Sequence, residues 1–166
     1  MTTNEMVLIA LTGAGATAVT DIWAIVRKRV FGIPLPNFAL VGRWIAHLAH
    51  GRLRHDSIAA VPPVRAELAI GWGAHYLIGA GFAFLLPAFW GTEWIHQPTL
   101  MPALIVGIST VAAPFLIMQP GMGAGIAASR TPHPGAARIQ SLLTHAVFGL
   151  GLYLTAILVA VGRVTA

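Results

Sequence analysis

Four long apolar stretches constrain this chain more than any other feature of its sequence. They run from about residue 6 to 26, 68 to 90, 100 to 118 and 139 to 161, and each is long enough to cross a bilayer as a helix. Only 9% of the 166 residues are charged, whereas about 25% are charged in soluble domains. We therefore expect one all-α domain over residues 1–166, an integral membrane four-helix bundle.

The positive charges show how such a bundle would be oriented. Nine of the ten Lys and Arg residues lie in the connections 27–67 and 119–138, and the tenth, Arg163, lies near the C-terminus. Because basic connections are retained in the cytoplasm, we predict a multi-pass protein of the bacterial cytoplasmic (inner) membrane with both termini outside. The clustering of positive charge between apolar spans argues against nucleic acid as a partner, despite a formal net charge of +5.

The first basic connection contains an amphipathic segment from about Asn37 to His50. Asn37 is a suitable N-cap, and apolar residues recur after it at helical spacing. This pattern predicts a short cytoplasmic interfacial helix with its apolar side in the lipid bilayer. The opposite face contains Arg43, His47, His50 and Arg54. We expect Arg43, Arg52 and Arg54 to bind anionic headgroups, and a solvated face is the simpler interpretation of the two histidines.

Small residues indicate where the spans can approach one another. Residues 12–18 of the first span are all Gly, Ala or Thr, which favours close helix contact. The pattern H-x-x-x-G-x-G occurs at residues 75–81 and again at 145–151. This echo allows a parallel 2+2 pseudo-repeat, although the first and third spans match each other poorly.

Three ionisable residues lie inside the spans, where charge is costly and usually marks a function. Asp21, His75 and His145 are on different spans, each about 10 Å from the predicted cytoplasmic boundary at 1.5 Å per residue. We expect them to share a polar pocket open to the cytoplasm. Alternatively, Asp21 pairs with Lys28 and each histidine bonds a carbonyl of a neighbouring helix. The mouth of the pocket is assigned to His55, Asp56, Gln119 and Arg130 on the two basic connections.

Several functions fit this arrangement. Two imidazoles and a carboxylate suit a divalent transition metal, so the pocket would bind a metal ion or a small polar or lipid-like ligand, with or without catalysis. The second hypothesis is a proton- or ion-coupled transporter that works as an oligomer. The third is a non-catalytic accessory subunit, either as a homo-oligomer or in a larger membrane complex. The residues alone leave open whether the protein is an enzyme.

Short motifs occur over nearly the whole chain. They are residues 15–23 (GATAVTDIW), 42–44 (GRW), 55–58 (HDSI), 71–76 (GWGAHY), 118–123 (MQPGMG), 128–132 (ASRTP) and 145–149 (HAVFG). Together they resemble an uncharacterised family of small bacterial membrane proteins, domain of unknown function 2938. The resemblance implies a multi-span membrane protein and assigns it no reaction.

Overall fold

The structure is a computed structural model that describes residues 1–164, with side chains as far as Gly162. Every regular element among these residues is helical, which confirms the predicted all-α class. Thr165 and Ala166, the last residues of the predicted domain, lie outside the described residues. So does the side chain of Arg163, the basic residue of the predicted outer tail.

Seven α-helices follow one another within residues 1–164. They are α1 (Thr3–Phe31), α2 (Phe38–Leu48), α3 (Glu67–Ala83), α4 (Leu85–Trp90), α5 (Leu100–Ser109), α6 (Gln119–Met122) and α7 (Pro134–Val164). In the described part of the chain, four stretches are long and apolar enough to cross a membrane: Thr3–Phe31, Glu67–Trp90, Leu100–Met122 and Pro134–Gly162. The prediction of four long apolar helices is confirmed, and the first and last are longer than expected at both ends.

The third of these stretches changes its helical form midway. Residues Pro114–Met118 form a π-helical turn between α5 and α6. Pro114 has no backbone N–H, so the usual bond to the carbonyl four residues earlier cannot form there. Further along, the Gln119 N–H reaches the Pro114 carbonyl, five residues back, which is the π-helical bonding pattern. This wider turn positions the glycine-rich segment that follows.

A helix, α2, is present where the interfacial helix is predicted. The Asn37 side chain accepts a hydrogen bond from the backbone N–H of Leu40 at 3.4 Å, so Asn37 is the N-cap, as its position in the sequence indicated.

The chain divides into two compact units. Unit 1 comprises Met1–Leu35, Tyr76–Thr110 and the described part of Leu143–Ala166. Its core includes Ile9, Leu86 and Leu152, which are almost completely buried. Unit 2 comprises Pro36–His75 and Val111–Leu142, and therefore contains α2 and α6.

Helices in unit 1 meet at glycines with almost no space between their backbones. A Cβ added to Gly13 would lie 2.5 Å from the Gly79 carbonyl oxygen, and one added to Gly149 would lie 2.8 Å from that of Ala103. These contacts confirm the close approach predicted for residues 12–18. Gly79 and Gly149 are the first glycines of the two H-x-x-x-G-x-G motifs, and both lie at a contact with another long helix.

Unit 2 contains an equally close contact. A Cβ added to Gly71 of α3 would collide with the Phe38 carbonyl oxygen, and one added to Gly42 of α2 would collide with the Glu67 carbonyl oxygen. The two helix backbones therefore touch directly. This contact fixes which face of α2 is turned toward α3.

Candidate functional site

Unit 2 contains a polar cleft, and one side of it is formed by the turn that follows α6. Gly123 ends this helix with φ 96°, and Gly125 has φ 74°, both in the region that favours glycine. The Ala124 N–H donates to the Gln119 carbonyl at 2.8 Å, and the Arg130 N–H donates to the Ala124 carbonyl at 2.8 Å. The chain is thereby folded back on itself.

The loop that follows α2 packs onto this turn. The His55 N–H donates to the Gly121 carbonyl at 2.9 Å, and the Trp44 indole N–H donates to the Leu53 carbonyl at 3.2 Å. Gly121 lies against the Trp44 ring, since an added Cβ would be 2.5 Å from the indole nitrogen. Two segments far apart in the sequence are thus held together by one backbone hydrogen bond and by the packing of Trp44 against Gly121.

A cleft of about 780 Å³ lies between these two segments. Its volume is in the range of small-molecule sites in proteins. Its charged side chains are three arginines and one aspartate, a net of two positive charges. The lining residues are Arg52, Arg54, His55, Asp56, Ser57, Ala60, Val61, Pro120, Gly125, Ile126, Ser129 and Arg130.

The guanidinium groups of the three arginines in the cleft are available to bind a ligand. Arg52, Arg54 and Arg130 are exposed. Within residues 1–164, none of their guanidinium groups makes a hydrogen bond to another side chain or a carbonyl, or an ion pair. Each can therefore use its planar set of N–H donors for a ligand.

The prediction that Arg43 binds lipid headgroups is wrong. Arg43 was expected to point toward headgroups, but it is only 7% exposed. Its Nε and Nη2 atoms bind the two carboxylate oxygens of Glu67 at 2.8 and 2.9 Å. Nη1 donates to the Val61 carbonyl at 2.5 Å. The hydrogen bonds to the Glu67 carboxylate raise the pKa of Arg43, so its charge is committed within the protein.

Two histidines, one of them buried, form a pair beside the cleft. The His47 and His55 rings are perpendicular, with 5.0 Å between their centroids. His55 is 9% exposed, and neither of its ring nitrogens has a hydrogen-bond partner among the described residues. Burial and the positive charges of His55, Arg52, His50 and Arg43 lower the pKa of His47. The solvated-face interpretation therefore describes His50, which is exposed, better than it describes His47.

Two of the three ionisable residues predicted inside the spans, Asp21 and His145, have polar partners in unit 1. The Tyr76 hydroxyl donates to a carboxylate oxygen of Asp21 at 2.9 Å. The Nδ1 atom of His145 lies 3.0 Å from the Thr110 hydroxyl and 3.2 Å from the Gly107 carbonyl oxygen. His145 thus makes the carbonyl contact that the sequence suggested as the alternative to a shared pocket.

The third, His75, belongs to unit 2. Its ring contacts Phe38 and Trp72, with centroid distances of 4.4 and 5.8 Å. In the part of the chain that the structure describes, no three His, Asp or Glu side chains are grouped so that they could hold a metal ion. Metal binding by Asp21, His75 and His145 is therefore not supported. A ligand pocket at these residues stays a prediction.

Three of the four residues assigned to a pocket mouth line the cleft: His55, Asp56 and Arg130. The fourth, Gln119, lies at the start of α6, and its side-chain oxygen is buried without a hydrogen-bond partner among the described residues. Sequence reasoning did not single out Ser129 and mentioned Ser57 only as part of a motif. It also gave Arg52 and Arg54 a role separate from that of Arg130, since no local pattern joins their segments.

The structure is thus a small all-α protein with an arginine-lined cleft beside α2, and its four long apolar helices are consistent with a multi-pass membrane protein. The chain belongs to the DUF2938 family of proteins of unknown function, whose family-wide sequence pattern matches residues 9–159. This membership confirms the resemblance seen in the motifs. Neither the curated proteins nor the solved structures contain a match to the chain.

Proposed function

We propose that the cleft of unit 2 binds a phosphate-type anionic group at the membrane surface. The observation that carries this proposal is that Arg52, Arg54 and Arg130 line one cleft with their guanidinium groups uncommitted. Arginine presents a planar fork of donors that matches the oxygens of a phosphate. With Asp56 included, the net charge of the lining is about the opposite of a phosphate monoester at neutral pH, which has a charge of about −1.5 to −2.

The remaining polar groups of the cleft suit the same ligand. Ser57 and Ser129 line it and can donate hydroxyl hydrogen bonds to phosphate oxygens. The Asp56 carboxylate repels a phosphate and accepts hydrogen bonds from a hydroxyl or ammonium group. We therefore expect the phosphate to contact the arginines and serines of the cleft rather than Asp56.

Within this proposal, the cleft lies on the cytoplasmic side of the inner membrane. Its lining comes from the two connections that together contain nine of the ten Lys and Arg residues, and such connections are retained in the cytoplasm. A concave site also differs from the flat headgroup contact inferred from sequence, where each charge adds about 1 kcal/mol independently. Several arginines that converge on one anion bind it selectively.

The test measures binding of inorganic phosphate to the purified full-length protein in a zwitterionic detergent at low salt, by isothermal titration calorimetry. We compare the unaltered protein with Arg52→Gln/Arg54→Gln and with Arg130→Gln. The matched control is Lys28→Gln/Arg29→Gln, which removes the same charge as the double variant from exposed positions at the end of α1.

We expect the affinity for phosphate to fall at least about tenfold in both cleft variants, since each loses donors to the anion. The control should stay within about twofold of the unaltered protein. Equal losses in the control and the cleft variants would mean that phosphate responds only to overall charge, and would overturn the proposal.

A further inference from the structure

A second, apolar groove opens beside the arginine-lined cleft in unit 2. Its volume is about 240 Å³, and it is lined by Trp44, Leu48, Leu53, Leu116 and Ile117 together with Gly121. The groove and the cleft share two lining residues, Arg54 and Pro120. The apolar groove and the cationic cleft therefore adjoin each other at Arg54 and Pro120.

We infer that the ligand is a lipid phosphomonoester, with its phosphate in the cleft and the first part of one acyl chain in the groove. This inference rests on the proposed function, because it places the phosphate in the same cleft. The groove exceeds the cavity of about 150 Å³ that takes up benzene. It can therefore hold a short stretch of one chain, and the rest of the lipid would lie in the bilayer.

The groove lies at the level where an acyl chain would meet its headgroup. Leu116 and Ile117 lie on the π-helical turn near the end of the third candidate span, and both are more than 60% exposed. Leu53, which is 65% exposed, belongs to the basic connection instead. One side of the groove is thus formed by the span and the other by the loop that provides Arg52 and Arg54.

The groove has a fixed inner wall, unlike a general lipid-facing surface. Trp44 is 8% exposed and is held by its hydrogen bond to the Leu53 carbonyl. Gly121 allows the Trp44 ring to lie directly against α6. Arg54 can contact both parts of the ligand, since its methylene stem is apolar and its guanidinium is charged.

The charge of the cleft favours a monoester over a diester. A net of two positive charges matches the phosphate monoester dianion, whereas the phosphodiester of a choline lipid has a single negative charge beside a cation. The charge of the adjoining cleft therefore favours an anionic lipid in the groove over a neutral or zwitterionic lipid.

The experiment compares three probes on the purified full-length protein in detergent: dioctanoyl phosphatidate, glycerol 3-phosphate and dioctanoyl phosphatidylcholine. Two groove variants, Leu53→Gln and Ile117→Gln, place a polar side chain of similar size in the groove. The control is Ile105→Gln, at an exposed apolar position of α5 outside the groove. Each variant is first checked for an unchanged elution profile, and either groove variant alone suffices for the test.

We expect dioctanoyl phosphatidate to bind at least about tenfold more tightly than glycerol 3-phosphate, and phosphatidylcholine to bind more weakly than phosphatidate. In the groove variants, the affinity for phosphatidate should fall most of the way to that for glycerol 3-phosphate, whose own affinity should stay unchanged. Ile105→Gln should change neither affinity.

Equal affinity for phosphatidate and glycerol 3-phosphate would overturn the acyl-chain site and leave the anion cleft in place. An unchanged phosphatidate advantage in both groove variants would also overturn the acyl-chain site. Phosphatidylcholine binding as tight as that of phosphatidate would overturn the assignment to a phosphomonoester. If neither phosphatidate nor glycerol 3-phosphate binds the unaltered protein, the proposed function itself is refuted.

Discussion

The guanidinium group of Arg43 and the carboxylate of Glu67 form a two-point ion pair that joins α2 to the first turn of α3. The two N···O distances are 2.8 and 2.9 Å, and the same carboxylate accepts a hydrogen bond from the Val64 N–H at 3.0 Å. Arg43 also donates to the Val61 carbonyl. One ion pair therefore holds α2, α3 and part of the connection between them in place. That connection provides the cleft-lining residues between His55 and Val61.

Glu67→Ala should destabilise the protein because it leaves the buried Arg43 charge without its carboxylate partner. We expect the melting temperature in detergent to fall by several degrees. Glu67→Gln should cause a smaller fall, since the amide oxygen still accepts one hydrogen bond. The control is Arg29→Ala, which removes an exposed charge and should leave the melting temperature nearly unchanged. Similar melting temperatures for Glu67→Ala and the control would contradict this assignment.

Gly71→Ala should destabilise unit 2 because the new methyl group would collide with the Phe38 carbonyl oxygen. We expect a loss of about 1–3 kcal/mol, typical of overpacking, measured by thermal or denaturant unfolding. Gly73→Ala, on the same helix, is the matched control, since no atom lies within 4 Å of its added Cβ. It should be neutral or stabilising by about 0.5–1 kcal/mol. An equal response of the two variants would argue against a direct contact between α2 and α3.

The sequence was sufficient to predict the features that depend on local pattern. Span length and composition indicated the four long helices, and the position of Asn37 before an apolar repeat indicated the start of α2. The small residues 12–18 indicated close helix contacts, because the absence of bulky side chains is visible without knowing the partner. In each case a single stretch of chain contains the whole signal.

The rotation of α2 could not be predicted in this way. Its pattern of apolar and basic residues placed Arg43 toward headgroups, yet this side chain is buried. Gly42 and Gly71 allow α2 to press against α3, so Arg43 is directed toward Glu67. The arginine-lined cleft depends on the same kind of long-range contact, since Gly121 brings the loop containing Arg52 and Arg54 close to Arg130.

The stability of the protein should decrease as the solution becomes acidic, in part because of His47. Burial and positive neighbours hold the pKa of His47 below its ordinary value of 6.5 in the folded protein. The unfolded chain therefore binds this proton first as the pH falls. The contribution of His47 to stability is complete above pH 6.5 and is lost as the pH falls through its lowered pKa.

Thermal unfolding between about pH 5 and 7.5 measures this dependence. His47→Gln should flatten the decline in melting temperature below pH 6.5. His133→Gln removes an exposed histidine that is not among the positive neighbours of His47 and should leave the decline as it is. A decline that is equally steep in His47→Gln and the unaltered protein would show that other groups cause the pH dependence.

Cysteine labelling in intact cells should establish which side of the membrane the cleft faces. The chain contains no cysteine, so each introduced thiol is unique. Ser57 lines the cleft, and Thr99 precedes α5 on the connection without Lys or Arg; both residues are exposed. Because basic connections are retained in the cytoplasm, Thr99→Cys should react with a membrane-impermeant maleimide in intact cells. Ser57→Cys should react only after the membrane is permeabilised, when both variants should label to a similar extent. Labelling of Ser57→Cys but not Thr99→Cys in intact cells would place the cleft outside the cytoplasm and reverse the proposed orientation.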